Sequence, residues 1–260
     1  MFGFFRRRRR AKIKLQPFSG EWTSILEKNV PYYGMLTPEE REELRGHILV
    51  FLHEKNFVSA GGLEITDEVR VTIAAQACIL LLGRETEYYP SLRTILVYPD
   101  TFFVEQKKRL PDGSVSEGLG ANLGESWHRG PVVLSWSSVK RGAYDARDAH
   151  NVVFHEFAHQ LDGDYGRTDG APLLPERSMY TAWARVLTTE YEQLLSDLEH
   201  HRRHCLDSYA ATNPAEFFAV VTETFFENPQ KLLRCHPELY EQMKLFYKQD
   251  PVKRYEIKQK

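Results

Sequence analysis

At 260 residues the chain is long enough for one substantial core or for two modest domains. Hydrophobic residues at 42% and charged residues at 27% are ordinary for a soluble globular protein, and a formal charge of -2 gives no overall pull toward nucleic acid. Three cysteines (Cys78, Cys205, Cys235) without C-x-x-C spacing suggest neither a disulfide framework nor a cysteine zinc site, so a reducing cytoplasm is the expected compartment.

The start, "MFGFFRRRRRAKIK", is the one strong charge run. Charged and polar residues follow it where a secretory signal would need an apolar stretch, so none is expected, and no later segment reaches the ~18 apolar residues of a membrane span. Arg6 to Arg10 with Phe2, Phe4 and Phe5 could touch an anionic surface or nucleic acid; the expectation is a solvated, disordered arm over residues 1–17. A single domain is expected over 18–250 and a polar tail over 251–260. Folded back, that tail would restrict a cleft.

Along the body, "LTPEEREELRGHILVFLHEKN" reads as a helix, with Thr37 as cap, Pro38 at the first helical position and Glu40 completing a capping box. "TDEVRVTIAAQACILLLG" is a second helix, starting near Thr66 and apolar almost all the way round. "RTILVYPD" and "TFFVEQKKRL" have strand character, with Asp112-Gly113 as a turn signal. "GPVVLSWSSV" is another strand, with Pro131 at its start as expected at a sheet edge. Helices return over about 145–162, 178–199, 214–227 and 237–248. The order points to an α+β architecture, mainly helical with a small sheet.

"FHEFAHQLDG", Phe154 to Gly163, carries the chemistry. On a helix, His155 and His159 lie about 40° apart in projection and one turn apart, so both imidazoles can meet one ion. Glu156 projects to the neighbouring flank, where its carboxylate can take a proton from water activated by that ion. The competing reading is a buried helix with two satisfied histidines. Its apolar neighbours Val152, Val153, Phe154, Phe157, Ala158 and Leu161 make such burial costly without a partner.

A third ligand is needed. A glycine at 162 and a histidine at 165 would make a metzincin; the chain has Asp162 and Tyr165. "NPAEFFAVVTETFFENP" offers Glu216, Glu223 and Glu227 within about 40° on one stripe of an apolar helix. Glu216 also fits a capping box with Asn213, Glu227 is expected to reach solvent, and Glu223 suits either metal ligation or orientation of a ligating histidine. Spacing alone does not separate Glu216 from Glu223. Asp162, one turn beyond His159, either orients an imidazole or ends the helix. "HHRRHC", with His201 and His204 one turn apart, reads as a solvated segment because its two arginines would repel a cation.

"HEFAHQLD", then "DSYAATNPAEFFAVVTETFF", with "GPVVLSW" upstream, resembles the Mlc titration factor A family of bacterial zinc metallopeptidases, from about Gly20 to "YKQDP". The active-site pattern is similar to that of the anthrax lethal factor catalytic domain. The resemblance implies a zincin-like fold of gluzincin type, with an edge strand beside the active-site helix. It further implies one zinc ion held by His155, His159 and Glu216, Glu156 as general base and Tyr209 as donor to the oxyanion. Glu223 and Asp162 remain supporting candidates, and Val132, Val133, Leu134, Ser135 and Trp136 are candidates for an edge strand pairing with a peptide. Aminopeptidase-like action on small peptides and binding of an Mlc-type transcriptional repressor are implied in the same way, with no direct nucleic-acid binding and no membrane span. Alternatives are a non-catalytic protein that sequesters a repressor, and a protease dedicated to one protein substrate.

Overall fold

The fold is taken from a computed structural model that describes residues 2–100, 102–109, 115–122, 124–126, 130–144, 148–163 and 168–258. The stretch expected to be a disordered arm forms helix α1, Phe2–Lys14. One arginine explains this. Arg10 is 6% exposed, and its guanidinium donates to both carboxylate oxygens of Glu54 (2.9 and 2.8 Å) and to Glu87 (2.9 Å), with Ile13 buried on the same side.

Helix α2, Gly20–Asn29, follows, and then a 3-10 turn at Pro31–Met35. Helix α3, Pro38–Glu54, has the expected capping box: Thr37 Oγ1 accepts from Glu40 N–H at 3.2 Å and Glu40 Oε2 accepts from Thr37 N–H at 3.0 Å. The chain then enters strand β1, Asn56–Ser59, which was not foreseen. Helix α4, Asp67–Ile79, is capped by Thr66 and buried from Val71 to its end, which is why its sequence is apolar on every side.

Strand β2, Thr94–Tyr98, leads to β3, Phe102–Arg109, and β4, Val115–Asn122, which pair antiparallel as a separate two-stranded sheet. The turn signal at Asp112-Gly113 lies outside the described residues. Strands β5, Gly124–Ser126, and β6, Val132–Ser135, complete the main sheet, whose order is β1-β2-β6-β5. The first three are parallel and β5 runs antiparallel to β6, giving the small mixed sheet expected.

The position of β6 corrects the sequence reading. Val132, Val133, Leu134 and Ser135 are interior, flanked by β2 and β5, and all four are buried. Pro131 precedes the ladder, so its missing N–H costs no strand pairing. Trp136 is not in the strand at all; it opens helix α5, Trp136–Tyr144. The edge of the main sheet beside β6 is β5, which lies against the helix that follows, α6, Val152–Gly163.

Helices complete the chain: α7, Met179–Glu199; a 3-10 turn, Ser208–Ala211; α8, Pro214–Glu227; α9, Pro229–Cys235; α10, Pro237–Tyr247; and α11, Pro251–Lys258. Helix α6 buries Phe154 and Phe157 among Tyr89, Phe51 and Phe226, with ring centroids 4.8–5.7 Å apart. Each such ring contributes roughly 1.5–3 kcal/mol through burial, so this face of α6 is fixed inward, with Phe154 against Phe226 of α8.

The tail is also corrected. Arg254 of α11 is buried, donates to Tyr32 Oη and Gln249 Oε1 (both 2.9 Å) and pairs with Glu40, while Tyr255 Oη donates to the Glu227 carbonyl at 3.1 Å. The described part of the tail therefore lies at the C-terminal end of α8, about 16 Å along the axis from Glu216. A further correction is the Cys205–Cys235 disulfide, which ties the loop after α7 to the end of α9 across a sequence separation of 30. No local spacing signals that pair; the return of α8 and α9 brings it together. Cys78 is free and buried. No described helix is long and apolar enough to cross a membrane.

Candidate metal centre

Asn151 sets the start of α6. Its Oδ1 accepts from the N–H groups of Val153 and Phe154, both at 3.0 Å, satisfying two donors that a helix start leaves open. Gly142 of α5 lets this residue approach: a Cβ there would stand 2.9 Å from Asn151 Cα. The helix so positioned carries His155 and His159 on its face toward α8, with Glu156 buried beside them.

Helix α8 is anchored just as locally. Asn213 Oδ1 accepts from the N–H groups of Ala215 and Glu216 at 2.9 and 3.0 Å, and Pro214 opens the helix. That places Glu216 in the first turn, facing both imidazoles. Its Oε2 lies 2.9 Å from His155 Nε2 and 3.3 Å from His159 Nε2, and the two Nε2 atoms are 3.2 Å apart. Among the described residues this is the one group of three such ligand atoms close enough to share an ion.

The donor set fits zinc. Four ligands ~2.0–2.1 Å from a tetrahedral zinc stand about 3.3 Å from each other, close to the three separations seen here. The charge balance agrees. Burial disfavours the His155 imidazolium, yet bonds to Glu216 and Glu223, with the charges of Glu223 and Glu156, hold its pKa well above the usual value. Burial would raise Glu216, but the bonds from His155 and His159 outweigh it and bring its pKa to about 2. These carboxylates are arranged to receive positive charge, which a divalent ion supplies while leaving both rings neutral as ligands.

Glu223 and Glu216, which spacing left undivided, face different nitrogens of the His155 ring. Glu223 Oε1 lies 2.7 Å from His155 Nδ1, on the far side of the ring from Glu216, and its Oε2 accepts the Asn151 N–H at 2.6 Å. Glu227, expected at the surface, is 2% exposed, and its Oε1 accepts from Asn151 Nδ2 at 2.8 Å. Burial, with the Glu223 and Asp148 charges, outweighs the opposing bond from Asn151 and pushes its pKa well above the usual carboxylate value. Asn151 and Glu227 were missed as parts of this network. The one available sequence signal was an asparagine placed to cap the apolar run that follows it.

Asp162 is bonded to the loop that follows α6. Its Oδ2 accepts from Gly170 N–H at 2.8 Å, and burial raises its pKa to about 6. Gly170 has φ +78°, and a Cβ there would stand 2.5 Å from the Pro214 carbonyl. Asp162 thereby ties a loop against the start of α8. Tyr165 lies outside the described residues.

Tyr209 sits on the 3-10 turn capped by Asp207, its ring centroid 5.9 Å from that of His155 and its side chain half exposed. Burial, and then the nearby Glu216 and Glu156 charges, raise its pKa, so it stays a proton donor at neutral pH. His204 takes no part; its Nδ1 donates to the Leu206 carbonyl at 2.7 Å. His201 lies outside the ligand group.

Comparison with known proteins gives the class: residues 4–248 match the family of glucose-regulated metallo-peptidase M90. The match starts at Phe4, ahead of the arginine run, and so takes in a segment that the resemblance read from sequence did not include. The chain is 44% identical to protein slr2042 of Synechocystis over 94% of its own length and 89% of that protein's. It is 33% identical to Mlc titration factor A of Klebsiella pneumoniae strain 342, covering 86% and 85% of the two chains. The corresponding figures for Mlc titration factor A of Escherichia coli O1:K1 are 31%, 90% and 87%. The chain belongs to this metallopeptidase family, together with the Mlc titration factor A proteins.

Proposed function

We propose that this chain is a zinc-dependent peptidase with a zincin-like fold of gluzincin type, its ion held by His155, His159 and Glu216. The convergence of those three side chains from two helices is the observation that carries the reading. Bound there, zinc would act as a Lewis acid on a peptide carbonyl and would acidify water. Glu156 takes the proton from the attacking water at its carboxylate and returns it to the leaving amine. Tyr209 Oη donates to the carbonyl oxygen as negative charge develops on it. Glu223 holds the His155 ring through Nδ1, which fixes the tautomer that leaves Nε2 free to ligate. An extended peptide pairs with the outer edge of β5, the strand that lies against α6.

Small peptides with a free amino end are the proposed substrates. Metal analysis, chelation and zinc restoration, read on free-amino and blocked peptides, test this. Zinc-dependent cleavage of the free-amino set alone supports the reading, and hydrolysis that survives both chelation and Glu156→Ala overturns it.

The name of the relatives supports a second role, binding an Mlc-type repressor, which does not exclude catalysis. Co-purification with such a repressor at unchanged affinity in Glu156→Ala would separate that role from catalysis.

A further inference from the structure

Helix α1 carries seven of the 34 basic residues and none of the 36 acidic ones, leaving 27 basic against 36 acidic residues elsewhere. Its attachment uses one face. Ile13, Arg6, Arg10 and Lys14 fall within about 100° of one another in projection. From that face Arg10 reaches Glu54 and Glu87, Arg6 pairs with Glu87, and Ile13 is buried.

The opposite face has a different composition. Phe4, Arg8, Lys12 and Phe5 also fall within about 100°, centred opposite the attached face, and Leu15 directly follows the last helical residue. Phe4 and Phe5 are each 61% exposed and Leu15 is 85% exposed. Arg8 and Lys12 lie between them, with the Arg8 guanidinium 5.5 Å over the Phe4 ring. Among the described residues Arg7, Arg8 and Lys12 form no ion pair. Nothing in the attachment of α1 requires these side chains, since Arg10 and Ile13 supply it. Large apolar groups interleaved with cations along one outward stripe are the pattern of a helix lying in the plane of a lipid interface.

We propose that this outward stripe of α1 docks the protein on an anionic lipid surface, with Phe4, Phe5 and Leu15 entering the headgroup region, and with Arg8 and Lys12 of the stripe and the exposed Arg7 beside it pairing with phosphates. Charge complementarity selects the occupant. The body is acidic and is repelled by such a surface, so attraction is confined to the helix. The apolar residues favour lipid over nucleic acid, because Phe4 and Phe5 on the helix and Leu15 just after it are exposed where a phosphate backbone offers no apolar partner.

The test is sedimentation of the full chain with vesicles of phosphatidylcholine alone and of phosphatidylcholine with phosphatidylglycerol. Binding to the anionic vesicles only, falling as salt rises, is expected. The triple variant R7Q/R8Q/K12Q is expected to lower the partition coefficient about 100-fold, and F4A/F5A at least about tenfold, both with an unchanged unfolding midpoint because Arg10 and Ile13 remain. F5W gives an independent readout: its added fluorescence should be quenched by brominated acyl chains. Failure to bind above the neutral control, binding unaffected by the triple variant, no quenching in F5W, or tighter binding to duplex DNA or RNA than to the vesicles would each overturn the assignment.

Discussion

His155 Nδ1 lies 2.7 Å from Glu223 Oε1, although the two residues are 68 positions apart. Glu216, two helical turns earlier on α8, faces the other nitrogen of the same ring. One imidazole is thus gripped at both edges by carboxylates of one helix. Glu223→Gln removes the charge that supports the ring while keeping its shape. Metal affinity is expected to fall by about 10–100-fold, measured by competition with a chromophoric chelator. An unchanged affinity would reduce Glu223 to a packing residue.

Glu156 and Tyr209 are expected to separate binding from chemistry. Glu156→Ala should retain the metal and lose hydrolysis. Tyr209→Phe should lower kcat by about 100-fold or more with KM little changed, because its hydrogen bond strengthens as the carbonyl oxygen gains charge. Steady-state kinetics on metal-loaded variants read both, and a Tyr209→Phe enzyme with normal turnover removes the hydroxyl from the reaction.

The arginines of α1 should be sharply unequal. Arg10→Ala leaves Glu54, 12% exposed, without its main partner, and should cost about 3 kcal/mol, the low end for breaking a buried pair. Arg9→Ala removes an exposed contact of 3.4 Å and should cost less than about 1 kcal/mol. Urea denaturation distinguishes them; equal effects would mean that α1 is not anchored through Arg10.

His47 should make stability fall on acidification. Burial lowers its pKa below the ordinary 6.5 despite the opposing bond from Glu43, and its Nδ1 lies 2.6 Å from Tyr88 Oη. The unfolded chain therefore binds a proton at this ring that the folded chain refuses. Stability rises with pH through the window below about 6.5 and is lost as pH falls through it. Between pH 7 and pH 5 the wild type should lose more stability than His47→Gln; parallel losses would show that other groups dominate.

Reducing the Cys205–Cys235 disulfide opens a loop of 30 residues and should lower stability by about 3–4 kcal/mol. Cys205→Ser without reductant should match the reduced wild type in a denaturant titration. If reductant leaves the midpoint unmoved, the bond does not constrain the unfolded chain.

How much of this was legible follows from the range of each interaction. Helix α8 could be read from end to end because Asn213 and Pro214 mark its start within two residues and its apolar body has a helical period. The same holds for α3, whose capping box spans Thr37 to Glu40. The histidine pair was legible because a helix brings positions 155 and 159 together by its own geometry. Strand β6 was misread because four apolar residues after a proline look alike at an edge and in the interior. Only pairing with β2, 37 positions earlier in register, tells them apart.

What the sequence by itself determined was the local frame: the caps, the apolar periods and a helix presenting two imidazoles and a carboxylate. Tertiary structure alone decided which acid faces both imidazoles and which bonds one ring from its other side, that Asn151 joins α6 to Glu223 and Glu227, and that one arginine of five is buried. Those outcomes depend on contacts between groups 44 to 76 positions apart, whose distances are set by how whole helices pack and not by the residues between them.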